Sequence, residues 1–97
     1  MADIHDLDLK LVTSLAINEL KRATTIHGTF NSAHEGWAIL KEEVDELWDL
    51  VKVNPAKFKT EDELRLHKKK ILEEAIQVAA MGMRFALDVC VAPKKTP

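Results

Sequence analysis

Apolar residues recur along most of this chain at the three-to-four-residue spacing of an α-helix. The first such stretch runs from about Asp6 to His27, with Leu7, Leu11, Leu15, Ile17, Leu20, Ala23 and Ile26 in phase. Asp6 and Asp8 suit the positive end of its dipole, and Lys21 and Arg22 suit the negative end. Gly28 ends it. A capping box, Ser32 with Glu35 three residues on, then opens a second helix that continues to about Val53. Trp37, Leu40, Val44, Leu47, Trp48 and Val51 form its apolar stripe, flanked by Ile39 and Leu50. Asn54-Pro55 stops it. Thr60 and Glu63 make another capping box and start a third helix reaching about Val91.

The third helix changes character along its length. Its first part is polar, with Arg65, His67, Lys68, Lys69 and Lys70; from Ile71 onward it is apolar nearly all round. Such a helix is expected to be buried on most sides. Ala79, Ala80, Gly82 and Ala86 would let neighbours approach closely. The pattern allows either one continuous helix or a break between the two parts. Three long helices with short connections give an all-α fold, a bundle of three to four helices completed by a second copy of the chain. Residues 1–91 form the domain and residues 92–97 a short tail.

Against this apolar pattern, the carboxylates of Leu40-Lys41-Glu42-Glu43-Val44-Asp45-Glu46-Leu47 are conspicuous. Four acids in five positions repel one another on a helix. At about 100° per residue, Glu43 falls inside the apolar arc, between Ile39 and Leu50. Glu46 lies at its edge, and Asp45 and Asp49 point to water. On the third helix Glu73, Glu74, Gln77, Arg84 and Asp88 form one narrow polar stripe, and Glu74 falls between Met81 and Phe85. An unpaired inward carboxylate is costly. Two such residues on separate helices of one bundle are offset by a shared divalent cation, and all-oxygen donors select Mg2+, with Mn2+ the alternative.

Composition narrows the setting. Ninety-seven residues make one domain, and 46% hydrophobic content is high for so small a body, which points to self-association. A net charge of -2 creates no field to draw nucleic acid or an anionic membrane. One cysteine, Cys90, precludes an internal disulfide and fits a reducing compartment. With an acidic N-terminus that carries no apolar signal run and no segment of roughly 20 apolar residues, the expected location is the cytoplasm.

The two patterns together, Glu42-Glu43-x-x-Glu46 and then Glu74-x-x-Gln77 after a polar linker, resemble those of the MazG-like all-α nucleotide pyrophosphohydrolases. That superfamily carries E-E-x-x-E followed by E-x-x-D, and the resemblance spans about Phe30 to Asp88. It implies hydrolysis of a nucleoside triphosphate to monophosphate and pyrophosphate, by a homodimer or homotetramer. Glu43, Glu46 and Glu74 would hold Mg2+, and Glu42 would be a further carboxylate at the site. Gln77 stands where the family has Asp; its amide oxygen can bind Mg2+ but brings no charge. Glu42 or Glu43 would take the proton of the attacking water. Arg84 is the expected phosphate contact; Lys70 and its neighbours Lys68 and Lys69 are alternatives, though such a run reads first as a solvated face, and Asn31 and His34 could contact a base or sugar, though a local hydrogen bond at the helix entry is the commoner role. The alternative function is a helical oligomer that keeps the fold but serves as a binding module, to which Gln77 lends weight. Trp37 and Trp48 read as core rather than a base-stacking pair, Cys90 as a small buried hydrophobe, and Met81 and Met83 as core.

Overall fold

The structure, a computed structural model, describes residues 6–91. Its regular elements are all helical. Helix α1 spans Asp6–His27, α2 Ala33–Val51 and α3 Glu61–Phe85. A 3-10 turn lies at Pro55–Lys57, and α3 widens into a π-helical end at Ala86–Val91. The expected tail, residues 92–97, is outside the described residues. No described helix is long and apolar enough to cross a membrane.

The helix ends follow from local chemistry. Gly28 takes a positive φ of 72°, and its N–H donates to the Thr24 carbonyl at 2.8 Å; only glycine enters that region freely. The Ser32 hydroxyl accepts the Glu35 N–H at 3.1 Å, and Thr60 does the same for Glu63. In both caps the glutamate reaches one residue further back than a simple capping box requires. Glu35 accepts from the backbone of Asn31, and Glu63 from that of Lys59.

Helix α3 is continuous through Lys70 and forms the middle of the molecule. Both α1 and α2 pack along it, while they touch each other little. Ala23, Phe30, Ala80 and Met81 are buried together, with Leu20, Ile39, Leu40 and Phe85 packed against them. The small residues that permit this approach are Ala16 and Ala23 on α1 and Ala80 on α3. Ala79 and Ala86, by contrast, are exposed. Gly36 lies under two rings: a Cβ there would come within 2.8 Å of both Phe30 and Phe85.

Burial departs from the sequence reading in four places. Trp37 and Trp48 are 57% and 59% exposed in the single chain, not core. Helix α2 meets α3 through Gly36, Ile39, Leu40, Glu43, Leu47 and Leu50, which leaves Trp37, Val44, Trp48 and Val51 on the outer flank. The first half of α1 is likewise open at Leu7, Leu11 and Leu15. Helix α3 is covered on two sides only, because one chain supplies two neighbours; Leu72, Leu87 and Val89 remain exposed, and Met83 is half-buried. Cys90 is exposed, since it lies in the π-helical end.

Candidate metal centre

Because α1 and α2 diverge over α3, a cavity of about 440 Å3 opens between them. Helix α3 provides the floor with Glu74, Gln77, Met81 and Arg84. Helix α2 provides one wall with Glu35, Ile39, Glu43 and Glu46, and α1 the other with Arg22, Ala23 and His27.

Glu43, Glu46 and Glu74 converge there, with one carboxylate oxygen of each within 4.8 Å of the others. Glu43 and Glu74 are half-buried and Glu46 is exposed, as the helical wheel implies for an inward Glu43 with Glu46 at its edge. Burial first, and then the neighbouring charges of Glu46 and Glu74, push the Glu43 carboxyl up to about 7. The Glu74 Oε2 atom is buried without a hydrogen-bond partner. None of the three carboxylates forms an ion pair with a described cationic side chain. The oxygen-only donor set and the orphaned Oε2 fit a hard divalent cation such as Mg2+ or Mn2+.

The other expected site residues are divided. Glu42 is exposed and does not line the cavity. Gln77 lines it. Lys70 lies outside, in an adjoining groove that shares Glu46 and Glu74 with the cavity. His34 is exposed and does not line the cavity. Asn31 is exposed, and its side-chain amide donates to Glu35 at 3.0 Å. These bonds from Asn31 hold the Glu35 carboxyl below the usual range.

Arg84 lines the cavity but is only 3% exposed, and its guanidinium is already engaged. One nitrogen donates to the Gly28 carbonyl at 2.5 Å. The group stacks 4.0 Å from the Phe30 ring centre, and Nε lies 3.7 Å from the Asp88 carboxylate. Asp88 in turn accepts the Phe30 N–H at 3.1 Å. Arg84 and Asp88 therefore fasten the loop after α1 to the end of α3.

The cavity also holds a residue that the sequence reading passed over. Arg22 forms a two-nitrogen ion pair with Glu19, one of whose bonds is Nε to Oε2 at 2.9 Å. That pairing outweighs burial, which acts upward, and sets the Glu19 carboxyl below its usual range. The available signal was the helical wheel. Glu19 falls between Ala16 and Ala23 on the inner face of α1, so its partner Arg22 is carried to the cavity rim.

No family model matches the chain, and neither a curated protein nor a solved structure does.

Proposed function

We propose that the chain is an Mg2+-dependent nucleotide pyrophosphohydrolase, converting a nucleoside or deoxynucleoside triphosphate and water into the monophosphate and pyrophosphate. The observation that carries this reading is the convergence of Glu43, Glu46 and Glu74 at one cavity without a paired cation. A purely structural bundle would gain stability by replacing such groups with packed apolar side chains. The resemblance of Glu42-Glu43-x-x-Glu46 and Glu74-x-x-Gln77 to the MazG-like motifs adds to it.

In this reaction a water oxygen attacks the α-phosphorus. The bond from that phosphorus to the bridging oxygen of the β-phosphate breaks, and pyrophosphate leaves. Glu43, Glu46 and Glu74 would hold Mg2+, which when bound supplies neutralising charge at the phosphate oxygens and a more acidic water. Glu43 is better placed than Glu42 to receive the water's proton, because it lines the cavity.

The working form is a homodimer or homotetramer in the cytoplasm. Its support is the outer stripe of α2, where Trp37, Val44, Trp48 and Val51 are all more than two-fifths exposed in the single chain. Contiguous apolar surface of this kind marks an interaction site. Gln77, an uncharged amide where the MazG-like motif has Asp, favours a second reading, a helical oligomer that binds nucleotide without turnover.

The test is pyrophosphate release from a panel of ribo- and deoxyribonucleoside triphosphates with Mg2+. Release should fall at least ~100-fold in Glu43→Ala and Glu74→Ala, beyond the loss typical of outer-shell changes at a metal. No release from any nucleotide overturns the hydrolase and leaves the binding module.

A further inference from the structure

A nucleotide in the cavity needs more than a cation at one wall. Its phosphate chain is anionic along its length, and a cation held by three carboxylates leaves much of that charge unmet. The cavity contains two guanidinium groups. Arg84 is buried and committed to Gly28, Phe30 and Asp88. Arg22 differs in each respect. Its side chain is 54% exposed, and its ion-pair partner is Glu19, one turn back on the same helix. That pair lies within α1, so exchanging Glu19 for a phosphate oxygen breaks no contact between helices.

Position favours Arg22 as well. It projects from α1, whereas the three carboxylates belong to α2 and α3. A phosphate chain lying between the walls would have the metal on one side and a guanidinium on the other. The planar guanidinium presents paired donors that match phosphate oxygens as well as they match a carboxylate.

We propose that Arg22 binds the phosphate chain of the nucleotide, with Glu19 as its resting partner. The inference rests on the hydrolase reading of this cavity. Glu19 suits the task because its side chain is only 14% exposed. The guanidinium is thereby parked at the rim instead of sweeping through solvent.

The experiment is calorimetric titration of the full chain, first with Mg2+ alone and then with inorganic pyrophosphate at saturating Mg2+. In Arg22→Ala the affinity for Mg2+ should stay within about twofold, because Arg22 is not a ligand. Pyrophosphate affinity should fall about 10- to 100-fold, the range for losing a charge-assisted hydrogen bond. KM for the nucleoside triphosphate should rise by a similar factor, and kcat should change less. Arg22→Lys should recover part of the loss. Arg22→Gln keeps the packed stem, carries the same expectation as Arg22→Ala, and decides the matter if the alanine variant loses helicity by circular dichroism. Unchanged pyrophosphate affinity in a folded variant that still binds Mg2+ overturns the role of Arg22 and leaves the hydrolase standing. A parent protein that neither binds Mg2+ nor releases pyrophosphate overturns both.

Discussion

Two regions of this small bundle bury charge, and they do so in opposite ways. At the end of α3, Arg84 is buried and the Asp88 carboxylate is largely covered, and the two face a carbonyl, an aromatic face, a backbone N–H and one another, although Arg84 Nε has no hydrogen-bond partner. In the cavity, Glu43, Glu46 and Glu74 face mainly one another. The first arrangement pairs opposite charges within the chain and works as a fastener. The second gathers like charges, and no described cationic side chain pairs with them.

The contrast can be broken most forcefully at Arg84. Arg84→Met removes one member of a buried pair and strands Asp88, so urea unfolding should show a loss of about 3–5 kcal/mol. A loss below about 1 kcal/mol would mean that the fastener is not structural, and Arg84 would return as a phosphate contact. Next comes Gly36→Ala, which drives a methyl group into Phe30 and Phe85 beside the same fastener. Overpacking should destabilise by about 1–3 kcal/mol, and a neutral result would show that the two rings can move aside.

The smallest effect belongs to the cavity and has the opposite sign. The Glu43 carboxyl is raised from its ordinary 4.5 to about 7, so the fold favours its protonated form. That contribution is fully present below about pH 4.5 and is lost as the pH rises through 7. Without divalent cation, the melting temperature should therefore fall by a few degrees between pH 6 and 8. Glu43→Gln, and separately saturating Mg2+, should flatten the slope. A slope that persists in Glu43→Gln would assign it to another group.

Much of this could be read from the residues because it is written in local chemistry. Gly28, Ser32 and Thr60 mark helix ends wherever the helices go, and the wheel turned Glu43 inward before any neighbour was known. Trp37 and Trp48 show where such reading ends. An apolar stripe demands cover but does not say whether the same chain supplies it, and here α3 took the flank centred on Glu43. Arg22 was hidden for a related reason. A basic residue near a helix C-terminus satisfies the dipole whether it faces water or a cavity, and the sign that separates the two lies on its partner Glu19, which the wheel sets between Ala16 and Ala23.

The sparse contact between α1 and α2 has a steric consequence. Since each leans on α3 alone, the bore of the groove is set by how closely α1 seats on the small side chains at Ala23 and Ala80, both almost fully enclosed. A bulkier residue at either point would push the arginine-bearing wall outward without touching a single acid. The width of the groove is thus governed by two methyl groups at the α1–α3 seam, one of which, that of Ala23, also lines it.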